Sequence, residues 1–470
     1  MLTTRTLRLA AALPFLIATA ARAQQTVADA GAATPDSTGA PRAATSDTTA
    51  PNAKASESRR TGLVPIEISH YRAPDQRGIN VFEPPKAEGV PYTGFKLAWG
   101  AAFTQQFQNL HHENTAAERP VNGVDANQLM SIGGGFNNAV ANIYLNAQLA
   151  KGVRVALTTY ASARHHQETW VKDGYVLIDD SPIDVPVLNT LMKYVTLRAG
   201  HFELNYGDAH FRRTDNGQGI YNPFVGNYIM DQFTTEIGGE MYLRSGPWMV
   251  MGGMTGGEVR GQVTAPEKRA PSYLGKVGYD QQLTKDLRVR LTGSTYSTAS
   301  SVSNTLYSGD RAGSRYYMVM ENTTATEKDQ AWSGSIQPGF KSSVRAYVIN
   351  PFVKYRGLEL FGNIEQAKGK AATESADRSF KQYAGEAVYR FLASERLYVG
   401  SRYNTVKGQL SGMANDVSVD RWELGGGWFV TPNVLAKAEW VTQTYNDFPT
   451  TDIRSGGRFR GLMLEGTVAF

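Results

Sequence analysis

The stretch GFKLAWGAAFTQQF, residues 94–107, carries its large apolar side chains on one parity. Phe95, Leu97, Trp99, Ala101, Phe103 and Phe107 occupy odd positions, and Lys96, Ala98, Gly100, Thr104 and Gln106 alternate with them. A period of two is the mark of a β-strand with one greasy face and one small or polar face. In a soluble sandwich the greasy face would point into the protein. Length argues against that here. The alternating runs of this chain often extend over 11–15 residues, against the 5–6 usual in globular sheets and the 9–11 that a tilted membrane strand needs. Phe95 and Phe107 lie twelve residues apart, about 30 Å along a tilted strand, which suits two aromatic girdles around an apolar band.

The alternation recurs to the end of the chain. Ala139 to Leu149 is followed by a tight Lys151-Gly152 turn and by Val153, Val155 and Leu157 opposite Arg154 and Thr158. Further candidate strands are 170–179, 193–205, 234–244, 248–256, 273–282, 287–298, 344–355, 358–368, 381–391, 397–406, 419–430, 434–445 and 460–470. Short connections such as Ser245-Gly246-Pro247, Arg356-Gly357 and Thr431-Pro432-Asn433 alternate with long polar loops. That asymmetry is expected of short periplasmic turns and long extracellular loops. If Arg315 to Glu321 sits inside one external loop, the count comes to sixteen. The sequence therefore predicts an all-β fold, a transmembrane antiparallel up-and-down barrel of about sixteen strands in the cell outer membrane, over residues 94–470. Around Gly200 the apolar parity switches from Val195, Leu197 and Ala199 to Phe202 and Leu204, which predicts a bulge.

The N-terminal part reads differently. Arg5 and Arg8 precede an apolar run from Leu9 to Thr19, and Ala21-Arg22-Ala23 supplies small residues for cleavage, so residues 1–23 are expected to be a signal peptide. That apolar run is too short for a spanning helix. Residues 24–60, rich in Ala, Thr, Ser and Pro, have too little apolar surface to order and read as a disordered periplasmic tether. Residues 61–93 form a proline-rich periplasmic lead-in.

Composition closes off several classes. Cysteine is absent, so no disulfide framework, thiolate metal site or cysteine nucleophile is available. The 48 bases against 43 acids give +5, but three of the bases and none of the acids lie in the export segment, leaving the mature chain near balance. No clustered bases or motif point to nucleic acid. G-x-S-x-G, H-E-x-x-H and P-loop patterns are absent. The sequence thus offers no catalytic, cofactor-binding or metal-binding residue and no cofactor. His111-His112 and His165-His166 sit near strand ends, but neighbours on a strand point to opposite faces, so each pair offers one lumenal imidazole at most.

Strand parity places Lys96, Arg154, Arg164, Arg288, Arg290, Arg345, Lys354, Arg390, Arg402, Arg421 and Lys437 on the lumenal face, with Glu359, Glu365, Glu386, Glu423, Glu439 and Glu465. Bases exceed acids there. A pore lined this way would favour anions, although the same charges could pair into a network that stiffens the wall. The long loop 207–233 follows the fifth strand and carries Arg212, Arg213 and Asp215 beside Tyr221, Phe224 and Tyr228. It is read as a constriction loop folded into the lumen, or alternatively as an external loop of solvated charges.

Tyr194-Val195-Thr196-Leu197-Arg198-Ala199-Gly200-His201-Phe202-Glu203, the long loop after it and the closing strand Leu462 to Phe470 together resemble the sixteen-stranded class that includes the phosphate-selective porins. The resemblance covers about Gly94 to Phe470. It implies a homotrimer in outer-membrane lipid that lets small hydrophilic or anionic solutes diffuse passively, and a protein that is not an enzyme. Dense lysine clusters are not obvious in the loops. Two rivals remain open: an envelope barrel enzyme acting on lipid or peptide, and a structural or adhesive barrel with a filled lumen.

Overall fold

The run that begins at Gly94 forms strand β1, Lys96–Glu113, the first of sixteen strands in one closed sheet. A computed structural model describes residues 68, 71–84, 86, 92–163, 169–257, 266–308, 317–326 and 334–470. The expected signal peptide and tether, Arg164 and the His165-His166 pair lie outside the described residues. After β1 come β2 Gly135–Ala150, β3 Val153–Ser162, β4 Thr169–Ile178, β5 Val195–Glu203, β6 Thr235–Ser245, β7 Trp248–Thr255 and β8 Ser272–Gln282. The second half comprises β9 Leu287–Thr298, β10 Ser343–Tyr355, β11 Leu358–Lys370, β12 Arg378–Phe391, β13 Leu397–Gly408, β14 Val417–Thr431, β15 Val434–Asn446 and β16 Arg458–Ala469. Residues 317–321 form no strand and belong to the connection between β9 and β10, as the even count requires.

Every strand pairs antiparallel with its chain neighbours, and β16 returns to β1 in the register Phe103↔Val468. The seam is tied by reciprocal backbone bonds between Ala101 and Phe470, at 3.0 and 2.9 Å. Closure leaves no unpaired edge, the condition for a sheet to sit in hydrocarbon. Turns at one end are tight. At Gly152 the φ of +65° and the approach of Asp180 O, 2.4 Å from where a Cβ would stand, both require glycine.

The greasy face points out. Leu97, Leu145, Val399 and Leu464 are 46%, 39%, 50% and 41% exposed, which excludes a compact soluble core built from them. Outward aromatic residues fall in two rows. Trp99, Trp248, Tyr355, Tyr389, Trp428 and Phe470 lie near the turn end, and Phe136, Tyr273, Tyr347, Tyr383 and Trp422 lie nearer the loop end. An outward apolar band between aromatic girdles places this barrel in a membrane of the outer-membrane type.

The inner face departs from a simple hydrated bore. Phe202, Val344, Ala346, Val348, Phe380, Val406, Val419, Val441 and Phe459 turn inward and pack with loop residues Ile229, Met230, Leu306, Tyr317 and Val319. Apolar side chains therefore occur on both faces, because the lumen is filled with the protein's own chain. This explains Gly200. Strand β5 keeps an unbroken register with its neighbours, and no bulge occurs there. The expected bulge is corrected: Phe202 and Leu204 simply face the occupied interior, where both are buried.

Candidate functional site

Among the described residues, three pieces of chain enter the barrel. The first is the end of the lead-in, residues 71–84, a strap across the mouth at the turn end. Gln76 N donates to Pro432 O at 2.9 Å, between β14 and β15. Asn80 Nδ2 donates to Glu359 Oε1 on β11 at 2.5 Å, and Asn80 also accepts from Arg212. The Phe82 ring packs 5.3 Å from Phe352 and 5.9 Å from Phe211. Glu83 meets Lys276 Nζ of β8 at 2.8 Å and Arg290 Nη2 of β9 at 2.7 Å. Beyond the strap, Lys86 Nζ donates to the carbonyls of Asp179 and Val195, each at 2.5 Å. Burial alone would raise the Glu83 carboxyl, but Arg290 and Lys276 outweigh it and hold the group well below the ordinary carboxylate range.

The second piece is the connection between β5 and β6, residues 204–234, buried over most of its length. Lumenal side chains hold its backbone all around the wall. Thr104 Oγ1 of β1 donates to Gly217 O at 2.8 Å, and Asn350 Oδ1 of β10 accepts from Asp208 N at 2.8 Å. Asn404 Oδ1 of β13 accepts from Ile229 N at 2.7 Å, and Glu439 Oε2 of β15 from Val225 N at 2.7 Å. Buried amides left unpaired would each cost about 1–3 kcal/mol, so this ring of polar wall residues fixes the loop's path. The third is an external segment that dips in, with Tyr317 Oη donating to Glu439 Oε1 at 2.6 Å.

The bases expected to line a pore mostly hold these pieces. Arg288 pairs with Asp280 at 2.6 Å, and Arg290 meets Asp208 at 2.8 Å as well as Glu83. Arg402 bridges Glu386 and Glu423 at 3.0 and 3.2 Å, and donates to Gly226 O. Arg421 donates to Gln443 Oε1 and to the carbonyls of Asn227 and Gly334. Lys437 meets Glu465 at 2.6 Å and caps the carbonyls of Gly219, Asn222 and Phe224. Arg390 and Lys354 both face Glu359. Lys96 is half-buried on the inward parity. Arg345 is the correction. It shares the outward parity of Tyr347 and Ile349 while Val344 and Ala346 face in, so its guanidinium lies on the outer surface near the loop end.

Open space survives on one side. A cavity of about 250 Å3 runs between the wall of β2–β5, the strap and the long loop. Wall residues Arg154, Lys172, Asp173, Tyr175, Arg198 and Glu203 face Tyr71, Arg72 and Phe82 of the strap, and His210, Phe211, Arg213, Asp215 and Tyr221 of the loop. Arg154 is ion-paired to Asp179 and Arg198 to Glu240. The loop arginines part company. Arg213 borders the cavity and meets Asp231 at 2.6 Å and Asp215 at 3.5 Å. Arg212 turns away to Glu386 at 3.1 Å. Burial lowers the His210 imidazole against the nearby Glu203, which favours its neutral form at pH 7.

Lys172 and Asp173 are adjacent yet both face inward. The register between β3 and β4 slips there, Thr158 pairing with Asp173 and Thr159 with Val171, so Lys172 is the extra residue of a bulge. Sequence parity gave no sign of it. Lys276 was legible by parity, lying two residues after inward Leu274, and belongs with the lumenal bases. The strap's Arg72, Asn80 and Glu83 had no periodic signal at all. His112 is taken up by Met130 O and Met320 N, and His111 lies on the other face beside Glu113. Among the described residues no three metal-ligating side chains converge.

A second opening, of about 620 Å3, lies at the turn end and is bordered by Lys285, Arg288, Lys354, Arg356 and Arg390 with Asp286 and Glu395. Cations outnumber acids there.

No family model matches the chain, and no curated protein does. Among solved structures, an anion-selective porin from Comamonas acidovorans is similar at 11% identity, covering 80% of this chain and 100% of that one with a TM-score of 0.49. The outer membrane channel DcaP of Acinetobacter baumannii gives 10% identity, 82% and 100% coverage and a TM-score of 0.46. OprB of Pseudomonas putida gives 11%, 80%, 94% and 0.46. On its own geometry the chain is a sixteen-stranded antiparallel barrel of the outer-membrane type whose lumen is narrowed by its own strap and loop.

Proposed function

We propose that the protein is an outer-membrane porin through which small hydrophilic solutes diffuse passively, with a mild preference for anions. The carrying observation is the charged cavity between the strap, the long loop and β2–β5, which persists beside the chain segments packed in the lumen. Loop 207–233 narrows the path, and Arg213 and Asp215 border the space that remains. The cation-rich opening at the turn end supports the anion preference by raising local anion concentration. The protein is assigned no catalytic residue and no cofactor. It works as a homotrimer, and residues 1–23 are removed on export; cross-linking in detergent and the mass of the mature N-terminus test these two points.

The filled lumen favours a second reading, a structural or adhesive barrel with no through-path. Planar-bilayer recording separates the two. Stepwise current with an anion-biased reversal potential supports the porin, and a correctly folded barrel that carries no current eliminates it.

A further inference from the structure

Within the cavity, one cation stands apart. Arg72 of the strap spends Nε on Gly78 O and Nη2 on Phe211 O, each at 2.9 Å. Its guanidinium carbon lies 3.5 Å over the Tyr221 ring. Among the described residues no carboxylate lies within ion-pair distance of it, and its Nη1 has no protein partner. A guanidinium fixed at two nitrogens and on one face presents the remaining edge to whatever enters.

The wall carries the opposite imbalance. Lys172 faces Glu203 at 2.5 Å and Asp173 at 3.4 Å, two carboxylates against one ammonium, and it shares Asp215 with Arg213. Glu203 Oε1 is buried, and its neighbour His210 Nδ1 stands 3.6 Å away, beyond hydrogen-bond distance. The cavity thus offers a donor edge short of an acceptor, and an acceptor whose neighbour on that side is an imidazole beyond hydrogen-bond distance. A simple anion finds Arg72 but meets surplus carboxylate, and a simple cation finds Glu203 but meets Arg72. Complementarity favours a solute carrying both charges. At about 250 Å3 the space falls below that of drug-sized sites.

The geometry points to a binding site for small zwitterions of the amino-acid class, with the carboxylate on Arg72 and the ammonium on Glu203. The inference rests on the porin reading for its role in transport, but the site itself can be measured without conduction.

The test uses the full mature barrel and three matched probes: β-alanine, propionate and propylammonium. In planar bilayers at pH 7, β-alanine should half-block the current at about tenfold lower concentration than either single-charge probe. Arg72→Gln and Glu203→Gln should each abolish that advantage, and Arg72→Lys should restore part of it. Calorimetry on the detergent-folded barrel reads binding independently, so a variant that loosens the strap is recognised by its altered melting. Preferential β-alanine binding without any current would uphold the site and sink the porin reading. Equal binding of propionate and β-alanine, or binding of none of the three, overturns the site.

Discussion

Asn80 Nδ2 donates to Glu359 Oε1 at 2.5 Å across 279 positions of sequence, joining the strap to the eleventh strand. The same glutamate accepts from Arg390 Nε at 2.7 Å. The strap is therefore wired into the lumenal ion-pair network rather than resting on it. Deleting residues 71–84 should widen the path at the turn end and raise single-channel conductance by about twofold or more. Unchanged conductance with intact heat-modifiability on gels would mean that the strap does not narrow the channel.

Strap docking should also depend on pH in one direction. Glu83 titrates below its unfolded value, so its stabilising effect is complete above about 4.3 and fades only as pH falls below that towards the folded value. Conductance should stay flat from pH 7 to about 5 and rise in stronger acid. A rise beginning near pH 6 would assign the control to another group.

Neighbouring arginines in the loop should separate stability from selectivity. Arg212→Ala removes a buried partner from Glu386 and Asn80 and should destabilise the fold by about 3–5 kcal/mol. Arg213→Ala removes a cation from the cavity wall and should shift the reversal potential towards cations. Bilayer recording and thermal unfolding of both variants check this, and the opposite pairing of effects would misplace the two side chains.

Outward residues between the girdles should reject charge. Leu424, 64% exposed between Trp422 and Trp428, faces the apolar band. Leu424→Arg should cost about 2–4 kcal/mol in refolding from urea into liposomes. Arg345→Leu, near the loop end, should stay within about 0.5 kcal/mol of the parent. A neutral Leu424→Arg would place that face away from lipid.

The alternation of side chains is enough to find every barrel strand, 170–179 included, because two-residue periodicity is a local property of extended backbone. Loop lengths supplied the even count and the two unlike ends. Single parities are harder to read: sequence puts Arg345 on the lumenal face, which its neighbours Val344 and Ala346 hold instead.

What sequence alone determined is the wall: which residues are strand, which face meets lipid, and where the turns lie. What only the tertiary structure decided is the content of the lumen. The bulge at Lys172, the inward Phe202 and the strap's grip on Glu359 follow from chain segments brought together by closure of the barrel. Periodicity carries no record of such partners, because an inward side chain alternates in the same way whether it meets water or another part of its own chain.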